Sequence, residues 1–227
     1  MSQAIVMVSG KGGTGKSTLT CALGRLLAKA GKRVVLLDMD MGMRSLDLML
    51  GAQDRVVYDL VDVVEGICSL KQALIKLDDP NLNLINASQL RGSDATSPAR
   101  MDQIVQKLKS RFDYVLIDCP AGVGKGFANA ISGADKAILV TTPDAVSMRD
   151  AERVAGLLMK HDIADRQLVI NRMPNRRMDD DVPDMDRMQQ AIKIPLLGWV
   201  PEDPSVAHSS GKGEAADAFS RIAARLM

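Results

Sequence analysis

The segment Gly10-Lys11-Gly12-Gly13-Thr14-Gly15-Lys16-Ser17 constrains this chain more than any other, because it fits G-x-x-x-x-G-K-[ST] without a gap. Ahead of it, Ile5 to Val8 is an apolar run. Behind it, Leu19, Ala22, Leu23, Leu26, Leu27 and Ala30 recur at the i, i+3, i+4, i+7 spacing of one helix face. Strand, glycine-rich loop and helix, in that order, form the setting in which such a loop wraps phosphate. Glycines let backbone N–H groups curl around the anion, and the helix N-terminus adds partial positive charge. Lys16 then reaches the β/γ oxygens and the Ser17 hydroxyl is offered to Mg2+. Gly12, Gly13, Thr14, Gly15 and Thr18 complete the candidate nucleotide-binding loop. The competing reading, a glycine turn without function, is disfavoured by the strand and helix on either side.

The rest of the chain alternates in the same way. Gly31 supplies a helix stop, and Val34 to Leu37 is a second apolar run ending at Asp38, which closes a βαβ unit. Further runs lie at Leu82–Ile85, Tyr114–Ile117, Ala137–Val140, Leu168–Ile170 and Leu196–Val200. Helical patterns lie between most of them, notably at Met101–Leu108, Val146–Met159 and Ala215–Leu226. Runs without alternating polarity are those of strands covered on both faces. The expected fold is α/β: a single-domain P-loop NTPase, its sheet mostly parallel, with helices on both faces and right-handed connections. A length of 227 residues suits one large domain, 1–227, better than two small ones. Residues 174–190 are the least core-like, with Arg176-Arg177 followed by Asp179 to Asp181, and are expected to form a surface insertion.

Composition narrows the function classes. With 29 Lys+Arg against 28 Asp+Glu and 3% aromatics, there is neither the basic excess nor the stacking rings of a dedicated nucleic-acid binder. Cys21, Cys68 and Cys119 are widely spaced and form no CxxC pair, which argues against a disulfide framework or an iron–sulfur or zinc site and fits a reducing cytoplasm. No signal peptide precedes Ser9, and no apolar run reaches the ~18 residues of a membrane span.

Lys11 places a second ammonium beside Lys16, where the two repel unless anionic phosphate neutralises both. Carboxylates fall at strand ends, which in open α/β sheets border the ligand crevice. Asp38 and Asp40 follow the second strand at i, i+2 spacing, which aims both the same way if the chain stays extended: one toward metal-bound water, one toward an attacking water. Asp118 ends another run. Strand-end aspartates also cap turns for purely structural reasons. From residues alone, Asn171 with Arg172, and Pro201 with Glu202 and Asp203, read more readily as strand-end and turn residues than as a base pocket.

The loop Lys11 to Ser17 resembles that of the deviant Walker A P-loop ATPases, the ParA/MinD family. That resemblance implies that Lys11 reaches across a nucleotide-sandwich homodimer to the partner's phosphates. It also implies that Asp38 lies near the metal through water, that Asp40 orients or activates water, and that Asp118 holds Mg2+ through water. By the same resemblance, Asn171, Arg172 and the Pro201–Asp203 loop lie against adenine. Met41–Gly51, Arg55–Leu60, Gln72–Ile75, Ala87–Gln89, Asp118–Gly122, Val146–Asp150 and Val200–Val206 are similar to the MinD branch. The branch implies a Mg2+-dependent ATPase that dimerises on ATP, hydrolyses it slowly when unstimulated, and serves as a switch that positions the cell-division site. Its partners would be an activator and a septum-inhibitor type of protein, and it would be cytoplasmic or peripheral on the inner membrane face. Two alternatives stand beside this: a nucleotide-gated positioning module for another cargo, of flagellar-number or ParA type, and a P-loop ligase, which would have no use for Lys11. Two small departures from the family pattern are Thr14 for the usual valine and Cys119 for the usual serine or threonine. The basic amphipathic tail of the branch does not follow the final helix, and the alanine-rich stripe of residues 215–227 suits docking on the sheet better than insertion among lipids.

Overall fold

A computed structural model describes residues 2–41, 45–174, 185–204 and 213–227. The strands are β1 (Gln3–Val8), β2 (Val34–Asp38), β3 (Ile75–Lys76), β4 (Leu82–Ile85), β5 (Tyr114–Asp118), β6 (Lys136–Thr141), β7 (Asp165–Met173) and β8 (Leu196–Pro201). They form one sheet in the order β3-β4-β2-β5-β1-β6-β7-β8, parallel throughout except where β3 pairs antiparallel with β4. The α/β expectation holds, and all seven apolar runs are strands of the sheet. Every residue of β2, β5 and β6 is buried, so the interiors of these strands are apolar on both faces and polar residues stand only at their ends.

The helices divide between the faces. Alternate residues of β1 show the division: Ala4, Val6 and Val8 join one core cluster, Ile5 and Met7 the other. The first cluster is covered by α3 (Leu60–Glu65), α4 (Leu70–Ala73), α5 (Pro98–Lys109), α6 (Lys125–Ile131), α7 (Ala145–Lys160) and α8 (Met185–Ile192). The second lies under α1 (Lys16–Lys29), α2 (Leu46–Leu50) and α9 (Glu214–Ala224). In α9, Ala215, Ala218, Phe219, Ile222 and Ala223 are buried, and just beyond it the Leu226 carbonyl accepts a 2.9 Å hydrogen bond from the Tyr114 hydroxyl on β5. Complete burial of an Ile or Phe side chain stabilises by roughly 1.5–3 kcal/mol, so the apolar stripe suffices to hold α9 on the sheet. Of the stretch 174–190, residues 175–184 lie outside the described residues. Its last part is the start of α8, where Met188 is fully buried in the core.

Strand order sets the site. β1 lies between β5 and β6; from β1 the chain crosses through α1 to β2 on the β5 side, and from β5 it passes through α6 to β6 on the other. Connections that part in opposite directions leave a crevice at the carboxyl ends of the strands. The ends of β1, β2, β5, β6, β7 and β8 all open onto it.

Candidate active site

The loop after β1 closes tightly because two of its glycines have no room for a side chain. A Cβ on Gly10 would meet Asp150 Cβ at 2.5 Å, so α7 packs directly against the loop. Gly15 has φ +96°, in the left-handed region, and its Cβ would meet Asn171 Nδ2 at 2.1 Å. Gly15 caps α1 with no side-chain hydrogen bond, and the first turn of α1 holds no acidic residue. A helix start of this kind leaves backbone N–H groups and a positive dipole end for an anion.

Lys16 is 7% exposed, and its Nζ donates to Ser9 Oγ at 2.9 Å. Ser17 Oγ donates to Asp118 Oδ2 at 2.6 Å, while Asp118 Oδ1 is buried with no hydrogen-bond partner. Asp38 and Asp118 stand side by side on paired strands and are both completely buried. Burial, followed by the charge of Asp118, pushes Asp38 up to about 7 against hydrogen bonds from the backbone of Asp40 and Leu46. Burial likewise pushes Asp118 up to about 6, against the Ser17 hydrogen bond and the Lys16 charge. Asp40 is half-buried, and burial raises it also, with Lys16 opposing. Lys16 offsets only part of the negative charge that these three carboxylates would carry.

A divalent cation would offset the rest. Asp118 Oδ1, orphaned beside the Ser17 hydroxyl, is the observation that fits Mg2+ here. Among the described residues no group of three or more His, Cys, Asp or Glu is arranged to hold a metal. Mg2+ needs no such cage, since it keeps several waters and is held by one or two carboxylates and phosphate oxygens. Asp38 differs from the simple expectation for the i, i+2 pair: its Oδ1 accepts from the Asp40 N–H at 2.9 Å and its Oδ2 from the Leu46 N–H at 3.3 Å. It therefore turns the chain after β2 as well as facing Asp118.

Two clefts flank the loop. One, of about 420 Å³, lies over Lys11, Gly12, Gly13 and Thr14 and is walled by Thr142, Asp144 and Ser147. Lys11 Nζ lies 3.9 Å from Asp144 Oδ1, both side chains about half exposed. Burial pushes the Asp144 carboxyl up, but hydrogen bonds from Thr142 and Ser147 and the Lys11 charge outweigh it and hold it down at about 2. The other cleft, of about 830 Å³, runs past Gly15 and Thr18 between Leu48, Met49, Pro201 and Phe219, with Asn171, Arg172, Glu202 and Asp203 at its polar points. Apolar walls with a few convergent polar groups, in a volume within roughly 300–1,000 Å³, are typical of a small-molecule site.

Here the structure adds what the sequence reading missed. Asn171 donates from Nδ2 to the Thr14 carbonyl at 2.8 Å, so its amide nitrogen braces the phosphate loop. Asp203 accepts from the Ala215 N–H at 3.3 Å, which ties the loop after β8 to the start of α9. Arg172, exposed and at φ +56°, lines both clefts. Ser9, Asp144 and Ser147 were not singled out; the spacing Asp144 to Ser147 at the start of a helical pattern is a capping signal that could have marked the latter two. Cys119 is fully buried with its thiol pushed upward, chiefly by burial, and is no nucleophile.

Comparison with known proteins gives the family. Residues 1–225 match the family model described as ParA: NUBPL iron-transfer P-loop NTPase. The septum site-determining protein MinD of Bacillus subtilis is 46% identical over 240 residues, covering 100% of this chain and 90% of that protein. The chain belongs to the ParA/MinD family of P-loop ATPases. Solved family structures superpose closely. MinD in the MinC:MinD cell division protein complex of Aquifex aeolicus has a TM-score of 0.91 at 36% identity, covering 100% of this chain and 96% of that one. MinD of Pyrococcus horikoshii, complexed with Mg-ADP, has a TM-score of 0.89 at 31% identity over 100% and 96% of the two chains. As a family member the chain is an ATP hydrolase that uses Mg2+.

Proposed function

We propose that this ATPase is a MinD-type switch, which dimerises on ATP, hydrolyses it slowly until a partner stimulates it, and positions the cell-division site. The observation that supports it best is the pair of loop lysines in unlike surroundings: Lys16 buried in its own site, Lys11 half exposed at the rim with, among the described residues, a 3.9 Å contact with Asp144. A lysine so weakly held can turn outward to a second nucleotide when two copies meet face to face. One domain carries the nucleotide site, and the second copy in a homodimer would add its Lys11 ammonium. The partners that the reading implies are an activator and a septum-inhibitor type of protein, and the three free buried cysteines fit a cytoplasmic location.

Within the site, the α1 N-terminus and the loop N–H groups hold the phosphates, and Lys16 neutralises their β/γ oxygens. Ser17 and Asp118 would hold Mg2+, the carboxylate through water, with Asp38 behind them; the ion supplies charge neutralisation of the phosphates. Asp40, half-buried and with its proton affinity raised, orients and activates the attacking water. The adenine lies in the larger cleft between Leu48, Met49, Pro201 and Phe219. Asn171 presents its remaining amide oxygen to the base, and Arg172, Glu202 and Asp203 border it. Catalysis is then positional and electrostatic rather than covalent.

Light scattering and phosphate release with Mg-ATP test the reading. The parent chain is expected to double its mass on ATP and Lys11→Ala to remain monomeric while still binding ATP. Dimerisation of Lys11→Ala equal to that of the parent removes the cross-site role.

A further inference from the structure

Ser9 joins both loop lysines to the loop that follows Asp118. It is the first residue after β1 and is completely buried. Its hydroxyl donates to the Lys11 carbonyl at 2.7 Å and accepts from Lys16 Nζ at 2.9 Å. Its own carbonyl accepts from the Gly122 N–H at 3.2 Å, in the loop that follows Asp118. A serine hydroxyl has one proton and two lone pairs. Because the proton is committed to Lys11, the lone pairs are fixed in direction, and one of them receives the ammonium. Among the described residues Ser9 Oγ is the one hydrogen-bond partner of Lys16 Nζ, which leaves two of the three ammonium protons for phosphate oxygens.

We infer that Ser9 is a positioning residue for the ATPase reaction: one hydroxyl holds Lys16 toward the phosphate cradle and fixes the peptide of Lys11, so that the two lysines are set relative to each other through a single side chain. The inference rests on the nucleotide reading of the site and adds a residue to it. Without the hydroxyl, Lys16 keeps its charge but must find its own place among the carboxylates Asp40 and Asp118, which attract it away from the loop. The Lys11 carbonyl, left without its donor, no longer fixes the turn that presents the Lys11 side chain. An alanine here changes neither the net charge nor the apolar packing of β1.

Affinity for a nucleotide series separates positioning from bracing of the fold. Lys16 acts on β and γ oxygens, so Ser9→Ala is expected to bind ATP and ADP about tenfold more weakly, a hydrogen bond to a charged group being at stake. AMP, which lacks those oxygens, is expected to bind as it does to the parent. The loss should appear in KM more than in kcat, and Ser9→Thr, which keeps the hydroxyl, should recover most of it. Ser9→Cys, with a weak acceptor in the same shape, should behave as Ser9→Ala does and provides the measurement if the alanine variant folds poorly. Equal affinity of Ser9→Ala and parent for ATP overturns the inference, as does a loss that extends equally to AMP. Failure of the parent itself to bind ATP would overturn the nucleotide reading and this inference with it.

Discussion

Replacing Gly15 by alanine tests the part of the site where the chain has least freedom. Two costs arise together. The backbone at φ +96° and ψ 22° is left-handed, which for an L residue costs about 1–2 kcal/mol. The added methyl would sit 2.1 Å from Asn171 Nδ2, and the amide cannot stay where it is. Its 2.8 Å bond to the Thr14 carbonyl is then lost, at about 0.5–1.5 kcal/mol. The sum, about 1.5–3.5 kcal/mol, should appear as a lower urea midpoint at unchanged slope, with ATP affinity down at least tenfold because the brace holds the phosphate loop. Asn171→Ala alone should cost about 1 kcal/mol. In the double variant the obstacle is absent and the bond is lost already, so the two costs should fall short of their sum by about 1 kcal/mol. A Gly15→Ala protein within about 0.5 kcal/mol of the parent, or costs that add strictly, would refute the argument that loop and β7 touch as described.

Three further outcomes follow from the same geometry. An unfolded aspartate titrates near 3.9, whereas burial lifts Asp38 to about 7 and Asp118 to about 6, so the folded protein keeps protons that the unfolded chain has lost. Their stabilisation is complete below about pH 4 and disappears as pH rises through 6 to 7. The melting temperature of nucleotide-free protein should thus fall between pH 5 and pH 8, and added Mg-ATP should raise it more at pH 8; a nucleotide-free midpoint that climbs over this range would contradict the burial argument. Tyr114→Phe should cost about 1 kcal/mol in chemical denaturation by removing the bond to the Leu226 carbonyl, and no change would mean that the last residues do not rest on β5. Iodoacetamide at pH 8 should leave the folded chain unlabelled, because Cys21, Cys68 and Cys119 are buried and their thiols pushed upward by burial, Cys21 to about 12; rapid labelling of Cys119 would contradict its burial.

The residues that could be read from the sequence are those whose chemistry is local. Lys16, Ser17 and their glycines lie within one loop, and the apolar runs announce their strands because burial on both faces removes polar residues from them. What could not be read depends on distant partners. Ile75 and Lys76 make a strand only because β4 is there to pair with them. The short helices α3 and α4 carry little periodicity, yet each starts with a reciprocal capping box, Asp59 with Asp62 and Ser69 with Gln72, which was the available signal. Asn171 brings its amide to Thr14 across 157 positions, and no spacing rule foretells that. Asp38 is buried by the sheet around it, so its raised proton affinity follows from strand order, whereas its bond from the Asp40 N–H is a local i, i+2 contact.

The placement of β1 between β5 and β6 also governs when this molecule can begin to work. Gln3 pairs with Tyr114 and Ile5 with Lys136, so β1, made before either neighbour, waits for both. At translation speeds of about 5–20 residues per second, that wait is on the order of ten seconds. Through it the apolar segment Ala4–Val8 lacks both of its partner strands, and contacts so distant in sequence slow folding. The phosphate loop is synthesised before the residues that complete it, since Asp118, Asn171 and Pro201 must each arrive. An unfinished chain therefore holds the motif without the enzyme, and ATP in the cell meets a competent loop only on completed copies.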